Sequence, residues 1–413
     1  MHLPNSGPRY ESGRECFFTS GIRYICLIDA TPYAQLRTHV LMSSPVQPHP
    51  LRRVWRFIVL SLNLLACAYT LLVYGFAHTS PADFWPAGFL TLSLPVMLVA
   101  HVIFVLYWLW SSPVKTIFSL VTLLIGLPYL QRTFAWHPSR PDEAPVRSFK
   151  VLSYNVRMFN TYHQRLGVDP GTSAQMLDWL INADADIKCV QELYNADTSR
   201  VYNSMKQLRF RQQFPQYATP SPDLFENHQG YVGVVIFSRF PIVRYEKLVF
   251  DKSGINKGVF ADIAIGKDTI RVFNVHLQSM SIRVGKVFDE RELNSAQADL
   301  FDIFRRLKRG FISRAEQVNL LEERIAASPY KVVVCSDLND MPYSYTYSKL
   351  RGRLHNAFEE AGSGFGFTYN ERLFFLRIDN QFCDRRLGVK AFRTHREVPY
   401  SDHFPVSATY TFE

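Results

Sequence analysis

Hydrophobic and polar positions fall into two regimes along this chain. Residues 57–82, 84–114 and 116–131 contain no Asp, Glu, Lys or Arg, and only Asp83 and Lys115 separate the three windows. The first two exceed the ~20 apolar residues that a membrane-crossing helix needs. The third is shorter and crosses only if Lys115 and Arg132 snorkel to the interface. A signal peptide would be followed by small residues and a cleavage site, not by further apolar blocks. The pattern therefore predicts a membrane segment of two to three helices over 51–134. Trp85, Tyr107, Trp108 and Trp110 stand near window ends, where an aromatic belt lies.

Beyond residue 147 the period changes. Runs 149–154, 187–190, 232–237, 242–250, 260–265 and 270–276 are strand-like, 173–183, 293–307 and 313–327 carry apolar residues at helical spacing, and 407–412 closes with an alternating strand. Strands interleaved with helices imply a layered α/β domain over 148–413 rather than a barrel. Residues 135–147, rich in Pro and charge, read as a semi-extended linker. Residues 1–50 show no period. Met42 opens a short lead into the first apolar window, so 1–41 read as a disordered tail or an over-extended start.

The sharpest local pattern is KVVVCSDLNDMPYSY at 331–345. Val332 to Cys335 read as a strand buried on both faces. Directly after it Asp337 and Asn339, two residues apart, stand on a turn that Pro342 stiffens. Taken alone this is as readily an ordinary polar turn with a capping Asp337 or Asp340.

Charge adds a modest bias. From Ala144 onward 36 Lys and Arg face 30 Asp and Glu, a net +6, which suits an anionic substrate without requiring nucleic acid. The one dense basic cluster, Arg305, Arg306, Lys308 and Arg309, reads as a solvated helix face. Arg52, Arg53 and Arg56 precede the first window and the loop 78–85 lacks Lys and Arg, which places the amino terminus in the cytoplasm. Three spans then put the bulk of the protein outside it. Arg132, Arg140, Arg147 and Lys150 pull the other way, although long domains translocate largely regardless of charge. The six cysteines show no CxxC spacing, and Cys189 and Cys335 fall in apolar runs as small hydrophobes.

Other polar residues sit at strand ends in the same manner: Asn155 in VLSYNVRMF, Glu192 in IKCVQELY, Asn274 and His276 in FNVHLQS, Asp379 after Arg377 and Ile378, and Asp402 and His403 in YSDHFPV. Singly, a Glu after a strand is usually a solvated turn residue and a strand His a satisfied core residue. Together with SDLNDMPYS and GVVIFSRFPI, these motifs over 148–413 resemble those of the endonuclease/exonuclease/phosphatase (DNase I-like) superfamily, here as a membrane-anchored bacterial member. Ser336 and Leu338 replace a usual Gly and Phe, and Asn380 and Gln381 replace Tyr and Ile, which weakens the expected strand there. Asp384, in FCDRRL, is a rival to Asp379.

The resemblance implies a four-layer α/β sandwich preceded by an α-helical transmembrane segment. It implies Mg²⁺ or Mn²⁺ held by Glu192, Asp402 and Asn155, because such cations prefer hard oxygen ligands. It implies catalytic roles for His276, Asp337, Asn339, Asp379 and His403, and substrate contacts from Asn155, Asn274 and Asn339. In that scheme His403, fixed by Asp379, activates water, Asp337 orients it, and His276 serves the leaving oxygen. Segments 343–347 and 362–369 would line the cleft. The function implied is a membrane-tethered phosphodiesterase or phosphatase of an inner membrane, acting on a lipid, nucleotide or nucleic-acid phosphoester. A DNase I-like endonuclease and a non-catalytic binding module are the alternatives; steep salt dependence would mark the first and indifference to His403→Ala the second. The sequence requires no protein partner.

Overall fold

Where charge is absent the chain folds as helices. In the computed structural model, which describes residues 50–137, 147–161, 171–199, 202–211, 214–218, 223–224, 230–250, 257–279 and 296–412, these are α1 (Pro50–Phe76), α2 (Pro86–Leu92), α3 (Leu94–Ser111), α4 (Thr116–Ile125) and α5 (Leu127–Thr133). The tail through residue 49 and the linker core 138–146 lie outside the described residues. α1 and α3 are long and apolar enough to cross a membrane, whereas α4 and α5 meet at an angle of 68°. Pro128 near the start of α5 cannot donate to the preceding turn, which breaks the helix there. A Cβ at Gly126 would meet Tyr74 Oη at 1.9 Å, so the elbow packs against α1 as only glycine allows.

From Leu62 to Glu413 the chain forms one unit. Buried polar side chains tie its helices together: Asn63 Nδ2 donates to Ser119 Oγ (2.7 Å), Trp108 Nε1 to Asn63 Oδ1 (3.0 Å), and His101 lies between Thr70 and Ser119 hydroxyls (2.9 and 3.0 Å). Arg132 points out of the apolar segment into the α/β domain. It is buried, and its Nη1 donates to Pro342 O (2.9 Å) and Ser348 Oγ (3.0 Å).

The strands are β1 (Phe134–Trp136), β2 (Ser148–Asn155), β3 (Ile187–Asn195), β4 (Gln216–Ala218), β5 (Asp223–Leu224), β6 (Tyr231–Ser238), β7 (Ile242–Val249), β8 (Lys257–Ile265), β9 (Asp268–His276), β10 (Lys331–Asp337), β11 (His355–Asn356), β12 (Ser363–Phe365), β13 (Asp379–Cys383), β14 (Leu387–Thr394) and β15 (Val406–Phe412). One sheet runs β11-β13-β10-β9-β8-β7 and the other β14-β15-β2-β3-β6-β4, with β5 beside β6; β1 pairs with β12. Alternation decides the layers. Val151, Ile187, Ile236, Val272, Val333 and Cys335 meet in one core between the sheets. The opposite faces pack against helices: Leu152, Tyr154 and Val190 against Thr172–Asn182, and Val332, Val334 and Phe273 against Ala296–Ala326. Helix, sheet, sheet, helix is the four-layer sandwich.

Three local readings change. Ala296–Ala326 is one helix, not two. Gly310 costs about 1 kcal/mol in a helix interior, less than Phe311, Ala315, Val318, Leu321 and Ile325 recover by burial along one face. The strand expected to be weak at Asn380 and Gln381 forms as β13, because Gln381 Nε2 bonds Val151 O (3.2 Å) and Val406 O (2.9 Å) across the sandwich. Two rings of 343–347 turn inward rather than toward a cleft: Tyr343 joins the cluster of Val73, Tyr74 and Leu94, and Tyr347 is buried.

Candidate active site

The inward-facing positions of the two sheets turn from apolar to polar toward one end. On β10 Val333 and Cys335 are followed two residues on by Asp337, on β9 Val272 by Asn274 and His276, and on β2 Val151 by Ser153 and Asn155. Register sets them side by side, since β10 pairs parallel with β9 (Asp337 opposite His276) and antiparallel with β13 (Asp337 opposite Asp379).

Glu192 arrives by a different device. The β3–β6 register shifts between Val190 and Leu193, and Glu192 takes a left-handed backbone, φ 51°. Asn339 does the same after β10, φ 50°. A non-glycine residue held there costs about 1–3 kcal/mol and persists only where its surroundings fix it. Asn339 is fixed by its N–H, which donates to Asp337 Oδ1 (2.9 Å), and by its Nδ2, which donates to Leu277 O (3.1 Å). Residues 157–160 form a left-handed turn as well. Asn155 Oδ1 accepts from Arg157 N (3.0 Å), and the turn aims Arg157 Nε at Asp402 Oδ2 (3.4 Å) and its Nη1 at Glu371 (2.9 Å).

Two arrangements result. In the first, Asn155 Nδ2 lies 2.9 Å from Asp337 Oδ2 and 3.3 Å from Glu192 Oε1, and His276 Nε2 stands 3.6 Å from both carboxylates. In the second, His403 Nδ1 lies 2.9 Å from Asp379 Oδ2. An ionised carboxylate only accepts, so Nδ1 carries the proton and Nε2 faces outward, 3.8 Å from Asp337 Oδ2 and 3.9 Å from Asp402 Oδ1. Those gaps are too long for direct hydrogen bonds and suit an intervening oxygen. Burial pulls His403 toward its neutral form, but Asp379, Asp337 and Asp402 more than offset this and hold its pKa well above the ordinary imidazole value. Burial raises Asp379 above the usual carboxyl range, with His403 opposing the shift.

Asp337, Asp379 and His403 could each offer one atom within 4.8 Å of the others to a metal. Asp379 and His403 are engaged with each other, however, and the oxygen pair of Glu192 and Asp337 better suits a hard cation. Two acceptor-only groups converging on one amide nitrogen are the charge excess that such a cation neutralises. The site therefore fits a hard divalent cation. Asn155 presents its N–H₂ to the carboxylates and its oxygen to Arg157.

Asn274 points inward one step below His276 and is fully used there: Nδ2 donates to Val190 O (3.0 Å) and Val235 O (2.9 Å), and Oδ1 accepts from Gln191 (2.7 Å). It joins the sheets from a position closed to solvent. Asp384 lies at the far end of β13, paired with Arg386 (2.7 Å), and is no rival to Asp379. Asp340 anchors its loop, accepting from fully buried Arg314 (3.2 Å) and from Thr346 (2.9 Å).

Sequence reading passed over several supports. Thr368 Oγ1 accepts from Ile378 N and Asp379 N (both 3.1 Å), Tyr369 bridges to His403 with the rings 5.5 Å apart, and Ser401 Oγ donates to Asn155 O (2.8 Å). Arg157 stands in VLSYNVRMF, but only the left-handed turn brings it to Asp402.

Comparison with known proteins gives two family matches. Residues 152–403 match the Endonuclease/Exonuclease/phosphatase family, and residues 56–133 match a domain of unknown function, DUF8431. No curated protein matches the chain. Similar solved structures include an endonuclease/exonuclease/phosphatase from Beutenbergia cavernae (14% identity, 64% of this chain and 72% of that one, TM-score 0.48). Another, from Bacteroides vulgatus, has 16% identity, 64% and 99% coverage and TM-score 0.47. A mannosyl-6-phosphatase from Bacteroides thetaiotaomicron has 18% identity, 64% and 100% coverage and TM-score 0.44.

Proposed function

We propose that this chain, which belongs to the endonuclease/exonuclease/phosphatase family, hydrolyses a phosphoester by attack of water on phosphorus, with a divalent cation, from a site tethered to a membrane. The observation that carries the reading is the pair of arrangements at one crevice end: the Glu192–Asp337 carboxylates sharing Asn155 and His276, beside a His403 ring fixed by Asp379. Mg²⁺ or Mn²⁺ held by Glu192 and Asp337 would neutralise charge on the phosphoryl oxygens.

The remaining work falls to side chains. Asp379 keeps the proton on His403 Nδ1, so that Nε2 takes the proton of a water positioned between it and Asp337. The carboxylates around His403 favour its imidazolium, and a cation held at Asp337 would counter them so that Nε2 starts as the free base. His276 Nε2 faces the same space and serves the non-bridging or leaving oxygen. Half-buried Asn339 stands at the rim as a phosphate contact. Arg157, tied to Asp402, closes the opposite side.

α1, α3 and the bent α4–α5 pair serve as three passes. Arg52, Arg53 and Arg56 in the first turns of α1 keep the amino terminus in the cytoplasm, which puts the catalytic domain on the other face.

The full-length protein in detergent should turn over bis-p-nitrophenyl phosphate with Mg²⁺ or Mn²⁺, lose this on chelation and regain it on re-addition. Glu192→Ala and His403→Ala should each lower the rate by about 10²–10⁴. Turnover that survives chelation or both substitutions would overturn the reading.

A further inference from the structure

Soluble domains seldom hold large aromatic side chains in water in contiguous groups. Among the described residues this chain does so in three places, and two of them adjoin the apolar helices. α5 ends at Thr133 and runs straight into β1, where Phe134 is 43% and Trp136 is 74% exposed. Phe134 packs edge-on against Phe365 of β12 (5.2 Å), which stacks on Phe367 (5.2 Å). Trp85, at the entry to α2, meets Phe304 of the helix Ala296–Ala326 at 5.6 Å, and Phe89 stacks on the same ring at 4.7 Å. Phe301, 62% exposed, extends this group by one turn. The Arg305 guanidinium lies over Phe301 (4.9 Å) and the Lys308 ammonium over Trp85 (4.7 Å). Aromatic rings capped by cations are what the headgroup zone of a bilayer selects.

The third place is the mouth of the site. From β12 the chain passes through Phe367 to Tyr369, which bridges to His403, and then into a loop closed by Thr368 N and Tyr369 N on Leu376 O (2.9 and 3.1 Å). At its tip Phe374 and Phe375 are 65% and 44% exposed and pack edge to face at 5.9 Å. The loop thus holds two phenyl rings outward a few residues from the catalytic histidine.

We propose that these three groups form one docking surface that rests in the headgroup region of the membrane holding α1 and α3. The mouth at Tyr369 and His403 then opens onto that leaflet, and the substrate is a phosphoester carried by a membrane lipid. Continuity with the helix ends through Thr133 and Trp85 identifies the bilayer as the occupant. The lipid-substrate half rests on the hydrolase reading, and the docking half on the membrane passes proposed for α1 and α3.

The test uses the full chain with Phe374→Trp in vesicles of phosphatidylcholine and phosphatidylglycerol with brominated acyl chains. The added tryptophan fluorescence should be quenched by roughly half or more relative to unbrominated vesicles, as for a ring at the acyl boundary. Quenching no greater than in the parent would overturn the docking surface, whether water or a second copy covers it. In the same vesicles, hexadecyl p-nitrophenyl phosphate and methyl p-nitrophenyl phosphate present one leaving group with and without a lipid anchor. The parent should prefer the hexadecyl ester, and Phe374→Ser with Phe375→Ser should lower that preference about tenfold. An unchanged preference would overturn the lipid substrate. Turnover of neither ester, with quenching intact, would remove the hydrolase reading and its lipid substrate and leave the docking surface standing.

Discussion

Replacing Arg132 by Met tests whether the helical segment is part of the catalytic apparatus or only its tether. Arg132 is the penultimate residue of α5, yet its guanidinium is buried against the loop that follows the Asp337 strand. Its Nη1 donates to Pro342 O and Ser348 Oγ, and it lies over the rings of Tyr129 (4.7 Å) and Tyr347 (5.2 Å). Its own carbonyl accepts from Arg377 Nη2 (2.8 Å), two residues before Asp379. Met keeps the stem and removes the fork. Hydrogen bonds from a charged donor contribute about 1.5–3 kcal/mol each and a ring contact about 0.5–2 kcal/mol. Relief of the buried cation's desolvation takes back part of this, leaving a net loss of about 2–4 kcal/mol. The full-length protein should melt a few degrees lower in detergent. Its kcat should fall about 10- to 100-fold, since a 1 Å displacement of reacting groups has an effect of that size. Arg132→Lys should not rescue it, because a point charge cannot reproduce the fork. Unchanged kcat and melting in Arg132→Met would refute the reasoning and reduce the helices to an anchor.

Two further outcomes can be checked directly. Asp379→Asn removes the acceptor that fixes the His403 tautomer and should lower kcat by about 10²–10⁴ with KM for a soluble diester little changed; a loss confined to KM would argue against its positioning role. Lys188 is fully buried, donates to Leu180 O (2.7 Å) and Ile181 O (2.9 Å) at a helix end, and is pushed down to about 7 by burial and then by Arg239. Between about pH 7 and the free-lysine value near 10.4 the unfolded chain binds a proton that folded Lys188 does not. Stability should therefore rise with pH across that window, and Lys188→Met should flatten the slope while lowering the midpoint by leaving two carbonyls without a donor. Thermal melts of both proteins across that range decide it.

Much of the architecture is legible because alternation is a local signal. Val332 to Cys335 announce a strand with two covered faces, and Asp337 two residues beyond Cys335 must then lie on the inter-sheet side. Depth along a strand is not local. Asn274 and His276 share a face, and only the opposite sheet decides that the first meets Gln191 and backbone carbonyls while the second reaches the crevice mouth. The same limit hides the partner of Arg132, which lies 210 residues away in sequence. It also hides Tyr343, whose position after a motif suggests a cleft although its ring packs among Val73, Tyr74 and Leu94. Backbone handedness at Glu192 and Asn339 leaves no mark in composition, since neither residue is the glycine that a left-handed position favours.

That handedness bears on how the protein can change over generations. At positions 192 and 339 glycine would relieve the backbone at once, so selection for heat resistance alone would drift there. Each such step would delete the carboxylate or the amide from the crevice. Robustness and turnover are thus opposed at two identifiable codons, and a lineage that retains Glu192 and Asn339 is under pressure to find its thermal tolerance elsewhere, in the helices and the inter-sheet core.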